Sequence, residues 1–252
     1  MKIIILGCGT STGVPVIGCH CPTCSSSNPR NKRTRSSILV QEEGRNIPID
    51  TSTDLRAQAL GNGIERIDAV LFTHPHADHI HGIDDLRAFN LAQKGPIPCY
   101  GSALTIERIR VMFDYIFRED AGDGWKPNLT TNIVDGPVMV FGIGVEPIDI
   151  SHGSAAIFGY RIGRLAYLTD CSGIPPASIE KLKGVELLIL GALRHKPHPT
   201  HFSVEQAMEA SRAIGPERTI LTHLGHNLDY EKDASLLPPG IELAYDGLTI
   251  EL

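Results

Sequence analysis

Residues 69–79 read AVLFTHPHADH, an apolar run that passes without a break into His74, His76, Asp78 and His79. The first half has the length and the β-branched and aromatic content of a buried strand. Where a chain leaves a strand, side chains two apart face the same side, so His74 and His76 can converge on one ion. Asp78 and His79, on the turn that follows, suit a neighbouring ion. Histidines satisfied by ordinary core or surface hydrogen bonds do not need this density of metal-binding groups. The stretch therefore predicts a metal centre at the end of a strand.

Outward from it, short β-branched runs recur at 2–6, 37–40, 157–162, 165–169, 187–190 and 219–222, and YRIGRLAYLT reads as a hairpin turning at Gly163. Apolar spacing of three and four predicts helices over 54–60, 83–91, 104–117, 177–182 and 204–214. Two or three strands in succession before a helix point to sheets packed face to face with helices outside, not to a simple βαβ repeat. No internal repeat, low-complexity tract or linker divides the chain, so residues 1–252 are expected to form one domain. Residues 118–137, REDAGDGWKPNLTTNIVDGP, are the least regular and are expected to be a surface loop, with a lid or a subunit contact as the functional alternatives.

With 252 residues, 42% of them hydrophobic and 21% charged, the composition is that of an ordinary globular protein. The formal charge of −6 disfavours nonspecific adhesion to nucleic acid or to an anionic membrane. The opening MKIIILGCGTSTG has an apolar run too short for a signal peptide or a membrane span and reads as a buried strand, which leads to an expectation of the cytoplasm. There thiols stay reduced, and clustered cysteines are more often metal ligands than disulfides. Cys19, Cys21 and Cys24 of IGCHCPTCSSSN, residues 17–28, are one too many for a disulfide and one short of a tetrahedral zinc site. Cys8, Cys99 and Cys171 read as buried thiols, and Gly7, Gly9 and Gly13 as a tight turn after the first strand.

His152 in IDISHG, Asp170 in AYLTD and His223 in TILTH each follow a strand-like run. Alone, each is as readily a hydrogen-bonded histidine or a turn-forming aspartate; what raises them is a shared place on one rim. With these residues in order, HPHADH resembles the H-x-H-x-D-H signature of the metallo-β-lactamase superfamily, and the resemblance runs from LGCGTSTGVP to AYDGLTIEL. Within that superfamily it looks most like the phosphodiesterase branch related to PhnP. The resemblance implies an α/β fold, a four-layer αββα sandwich, with two divalent cations, Mn2+ or Zn2+, at one edge. His74, His76 and His152 would hold the first, Asp78, His79 and His223 the second, and Asp170 would bridge.

Two cations a few ångströms apart make hydroxide available at neutral pH and neutralise charge on a phosphoryl oxygen as it is attacked. The implied function is thus hydrolysis of a small phosphodiester, cyclic ones such as phosphoribosyl 1,2-cyclic phosphate included, with Asp78 and His201 nearest the chemistry and His201 as proton donor. His198 and Arg194, in the same RHKPHPTHFSVEQA stretch, are candidate phosphate contacts, and Asp50 matches an aspartate that steadies the HPHADH turn without touching metal. Relatives place a structural zinc on three cysteines and a histidine, here Cys19, Cys21, Cys24 and His226, and they admit a homodimer. The chain departs from the pattern at TSTDLR, which lacks the usual glycine, and at Gly191, where an acidic residue is common. The rivals are a ribonuclease Z-like tRNA 3′ endonuclease, disfavoured by the acidic balance, and a carrier resembling pyrroloquinoline quinone biosynthesis protein B, disfavoured by the intact HPHADH.

Overall fold

The computed structural model describes residues 1–118 and 126–252. Its strands are β1 (Lys2–Gly7), β2 (Ser37–Glu42), β3 (Arg45–Ile49), β4 (Val70–Leu71), β5 (Ile97–Gly101), β6 (Leu129–Ile133), β7 (Val138–Val140), β8 (Ile143–His152), β9 (Ala155–Ile162), β10 (Leu165–Leu168), β11 (Leu187–Gly191), β12 (Arg218–Thr222), β13 (Ile241–Leu243) and β14 (Thr249–Glu251). They form two seven-stranded sheets, ordered β14-β1-β2-β3-β4-β5-β6 and β13-β12-β11-β10-β9-β8-β7. The first is antiparallel from β14 to β3 and parallel from β3 to β6. The second is antiparallel from β7 to β10 and parallel from β10 to β13. The two sheets repeat one topology that the sequence does not show as repeated residues.

Strand alternation sorts the side chains into layers. Ile3 and Ile5 of β1, Ile47 and Ile49 of β3 and Leu71 of β4 meet Val145, Ile148, Tyr160 and Leu188 of the second sheet in one core. Val70 and Phe72 face the other way and pack against Leu55, Leu86 and Ile109 of the helices Leu55–Gly61, Leu86–Gln93 and Ala103–Met112. On the far side, Val204, Ala207 and Ile214 of the helix Val204–Ile214 join the core beneath the second sheet. The result is the expected αββα sandwich. Among the described residues no helix is long and apolar enough to cross a membrane.

Two expectations change. The helix over 104–117 divides into Ala103–Met112 and Asp114–Phe117, with Phe113 leaving the helical region at φ −119° and ψ 44°. Part of the supposed 118–137 loop is strand β6, an edge strand whose residues are half-buried or exposed and so lack the alternation that marks a strand; residues 119–125 of that expectation lie outside the described residues.

The fold delivers the candidate residues to one edge. Asp50 follows β3, Thr73 and His74 follow β4, His152 ends β8, Asp170 follows β10 and His223 follows β12. Asp50, Asp170 and His223 turn the chain there with left-handed φ of 67°, 53° and 57°. Non-glycine residues adopt this region rarely and at a cost of order 1 kcal/mol or more, a pattern typical of sites whose side-chain direction matters.

The sheets are joined beneath that edge by Tyr160, fully buried in β9, whose hydroxyl donates to the Phe72 carbonyl at 2.8 Å. Tyr160→Phe leaves that carbonyl without its donor and is expected to lower unfolding free energy by about 1–2 kcal/mol, measured by urea denaturation. A change below about 0.3 kcal/mol would mean the bond contributes nothing net.

Candidate metal centre

The HPHADH turn is shaped by Asp50. This fully buried carboxylate accepts the Thr73 N–H at 2.8 Å, the Thr73 hydroxyl at 2.8 Å and His79 Nδ1–H at 2.7 Å. The Thr73 oxygen, its proton committed to Asp50, faces His74 Nδ1 at 3.0 Å and accepts from it. His152 Nδ1 lies 2.8 Å from the Asp170 carbonyl and 2.9 Å from the Thr200 carbonyl and donates to them. In His74 and His152 the proton sits on Nδ1 and Nε2 keeps its lone pair for the centre, and in His79 the bond to Asp50 turns Nδ1–H outward and Nε2 inward. His76 offers Nδ1, 3.0 Å from His74 Nε2.

The donor atoms of His74, His76 and His152 form one group, those of Asp78, His79, Asp170 and His223 a second, and those of His152, Asp170 and His201 a third, each spanning no more than 4.8 Å. Asp170 therefore stands between the two histidine sets. His79 Nε2 is 3.1 Å from Asp170 Oδ2 and 3.2 Å from Asp78 Oδ2, and His223 Nε2 is 3.2 Å from Asp170 Oδ1 and 3.7 Å from Asp78 Oδ2. Although that close, both imidazole nitrogens are buried without a hydrogen bond in proper alignment. Buried polar atoms are rarely left so, and donors converging off-axis at these separations are what a shared divalent cation requires.

The electrostatics agree. Burial holds His74 well below the ordinary imidazole range, with the positive His79 adding to it, so His74 is a neutral donor. Burial alone would lower His79 too, but Asp170 and Asp50 carry it well above. Burial would raise Asp170, yet His223, His79 and the bond from His201 hold it well below the carboxylate range. Burial would raise Asp78 as well, yet the bonds from His223 and His79 hold it low, so two carboxylates persist as anions in a buried pocket, a balance that calls for positive charge. Gly191 sits beside them: a Cβ there would come within 3.1 Å of the Asp170 backbone nitrogen, a tight approach that a side chain would have to relieve.

The cysteine cluster lies apart. His226 Nδ1 is 3.3, 3.6 and 3.7 Å from the sulfurs of Cys19, Cys21 and Cys24. Tetrahedral zinc with sulfur at about 2.3 Å and nitrogen at about 2.0 Å would separate these ligands by about 3.5 Å. The Cys24 N–H bond holds Cys21 down at about 6, and burial takes Cys24 up to about 11. Lys32 Nζ donates to the Cys24 carbonyl at 3.2 Å.

His201 Nε2 is 3.1 Å from Asp170 Oδ1 and joins the centre, while its Nδ1 faces the Thr200 hydroxyl at 2.8 Å and His198 Nδ1 at 3.2 Å. Burial lowers His201 despite Asp170. Arg194 Nε and Nη2 donate to the carbonyls of Lys196 and Pro197, both at 3.1 Å, so part of the guanidinium holds its own loop. Thr73 and Thr200 are the participants that the sequence did not single out; a hydroxyl adjoining a histidine on either side was the available signal. Cys8, Cys99 and Cys171 are buried thiols as expected, and at Gly7 a Cβ would lie 2.2 Å from the Arg35 carbonyl, which makes that glycine a close-packing residue.

Residues 45–224 match the family described as Beta-lactamase superfamily domain. An octanoyltransferase of Porphyromonas gingivalis is 42% identical over 98% of this chain, and the chain spans about half of that relative, 51%. A crystal structure of a new diphosphatase from the PhnP family superposes with a TM-score of 0.94 at 42% identity, covering 100% of this chain and 96% of the other. Zn2+-bound PqqB from Methylobacterium extorquens superposes at 0.77 with 23% identity over 100% of both chains, a likeness of fold.

Two outcomes follow from the geometry. Asp50→Asn removes the acceptor shared by Thr73 and His79 and is expected to weaken binding of added Zn2+ or Mn2+ by roughly 10- to 100-fold in a chelator competition; unchanged affinity would refute the bracing role. Cys21→Ser is expected to cost one zinc per chain by elemental analysis and to lower the melting midpoint by about 5 °C or more; a variant that keeps that zinc would exclude the four-ligand site.

Proposed function

The chain belongs to the metallo-β-lactamase superfamily, and from that premise we propose that it is a metal-dependent hydrolase of small phosphodiesters. The observation that supports this most directly is Asp170, set between two groups of imidazole donors and touching His201 on its open side. That arrangement puts a proton-bearing side chain against a centre built for two cations, as cleavage of an unreactive, negatively charged ester requires.

His74, His76 and His152 would hold one ion, Asp78, His79 and His223 the other, with Asp170 shared. Bound there, Mn2+ or Zn2+ would supply Lewis acidity toward a phosphoryl oxygen and hydroxide at neutral pH. The chain's own residues do the rest. Asp50 and Thr73 fix which nitrogen of His79 and His74 faces inward. Asp170 orients His201 so that Nε2–H points at the reacting region, and that proton passes to the oxygen that departs. The negative charge of a bound diester offsets the burial that holds His201 low. His198 adds a second imidazole beside it for a phosphate oxygen.

A small cyclic diester is the substrate class favoured by the resemblance. The diphosphatase likeness at 42% identity makes a diphosphate linkage the second reading. Both place one phosphoryl group on the centre and differ in what departs. Purified chain reconstituted with Mn2+ or Zn2+ is expected to hydrolyse bis(p-nitrophenyl) phosphate, and a panel of cyclic phosphates, nucleotide diesters and diphosphate diesters ranks the two classes. No turnover of any of them, with metal bound, would favour a carrier. His201→Ala is expected to slow diesters with poor leaving groups by roughly 100- to 10,000-fold while sparing p-nitrophenyl esters. Equal rates for the variant and the parent would remove His201 from the chemistry.

A further inference from the structure

The stretch between β11 and the helix Val204–Ile214 carries His201 and is closed at its base by backbone bonds. Leu193 N–H donates to the Phe202 carbonyl at 3.0 Å, Val204 N–H to Arg194 at 3.0 Å and Gly225 N–H to Leu193 at 2.9 Å. The span beyond that base, residues 195–200, forms its tip and is held by side chains. Arg194 closes over the carbonyls of Lys196 and Pro197, and the neighbouring His195 reaches out to the helix Tyr230–Ala234. There His195 Nε2 is 2.9 Å from Asp233 Oδ1, with Nδ1 3.4 Å from Glu205 Oε1. Asp233 is 7% exposed, and its other oxygen accepts the Asp229 N–H at 2.6 Å, so this carboxylate is fixed independently of His195.

The anchor leads back to the centre. Asp233 follows the segment of His223 and His226, and the buried Arg33 grips that segment through the carbonyls of Gly225 at 3.0 Å and Leu228 at 2.8 Å. At the other end of the tip, Thr200 accepts from His152 and its hydroxyl faces His201. His195 side-chain exposure is 43%, and pairs so open to solvent add little to global stability. What this one can do is local. The bond to Asp233, with Glu205 beside it, raises the His195 imidazole and so favours the charged pair.

We propose that His195, through Asp233, is a positioning residue for His201: it fixes the tip of the 193–203 stretch against the segment bearing His223 and thereby sets His201 over Asp170. The inference rests on the reading of His201 as proton donor. A displacement of about 1 Å in such a group is enough to cost on the order of 100-fold in rate.

The test uses the full metal-loaded chain with bis(p-nitrophenyl) phosphate, whose leaving group departs without protonation, and diphenyl phosphate, whose leaving group benefits from it. His195→Ala is expected to lower kcat on diphenyl phosphate by about 10- to 100-fold with KM nearly unchanged, to leave bis(p-nitrophenyl) phosphate turnover nearly unchanged, and to retain the parent's metal content and melting midpoint. His195→Gln, which keeps a donor toward Asp233, is expected to recover most of the loss, and His195→Ala added to His201→Ala to cost nothing more. If His201→Ala shows the leaving-group dependence and His195→Ala does not, or slows both esters alike, the positioning inference is overturned while the proton-donor reading stands. If His201→Ala itself spares diphenyl phosphate, the proton-donor reading falls and takes the inference with it.

Discussion

The centre depends on a single buried carboxylate. Asp50 has no exposure, stands in a left-handed turn at the end of β3, and is pushed up by burial while His79 and Thr73 pull it down. An ionised group in such a place costs several kcal/mol unless its oxygens are filled. Its partners are therefore not optional. If the HPHADH turn moved, Asp50 would lose Thr73 and His79 together and be left as an unpaired buried charge. The backbone adds to this, since Thr51 N–H donates to the His79 carbonyl and Gly82 N–H to that of Thr51. The penalty for displacement is what makes the ligand geometry rigid.

That rigidity would be wasted if the two sheets could shift. The first sheet supplies Asp50 and the HPHADH turn, the second supplies His152, Asp170 and His223, and the candidate site exists only where their edges meet. The contact is fixed from within by the shared core and by Tyr160, and at the rim by Phe158 N–H, which donates to the Thr73 carbonyl at 3.2 Å. From outside, the cysteine cluster brings the N-terminal loop to His226, three residues past His223. Arg33 and Asn31 stitch the same loop to the segment that follows. A zinc in that cluster would act on the centre by holding this wall in place.

The parts of the site legible in the sequence were those where residue type alone carries the chemistry. HPHADH, and single histidines or aspartates after apolar runs, are visible because metal ligands come from few side chains and the strand ends are marked. Asp50 and His226 needed the resemblance, because an isolated aspartate or histidine has many ordinary uses. Arg194 shows a limit of another kind: two carbonyls of its own loop accept from its guanidinium, and no pattern of residues reveals which acceptors a turn will present. Thr73 and Thr200 had only an adjoining histidine as their signal, and the His195–Asp233 pair had none, since each matters through a partner placed by the fold. In the fold itself, β6 was missed because an edge strand with little buried surface has no hydrophobic period to read.

The charge distribution bears on substrate size. Several cations along the N-terminal and histidine-rich stretches are committed internally: Arg35 to Asp54 and the Ser11 carbonyl, Arg33 beneath Gly225 and Leu228, Lys32 to the Cys24 carbonyl, and Arg194 to its own loop. Arg30 stacks between the rings of Tyr230 and Tyr245. A polynucleotide is held along its length by guanidinium and ammonium groups free to meet successive phosphates. Each of these five makes such an internal contact, and Arg33 is buried as well. On the proposed reading, attraction for a phosphate would then come chiefly from the centre itself, from its imidazoles and the cations they would hold, which reaches one phosphoryl group. A site of that reach would suit the small diester proposed above, on a chain of formal charge −6.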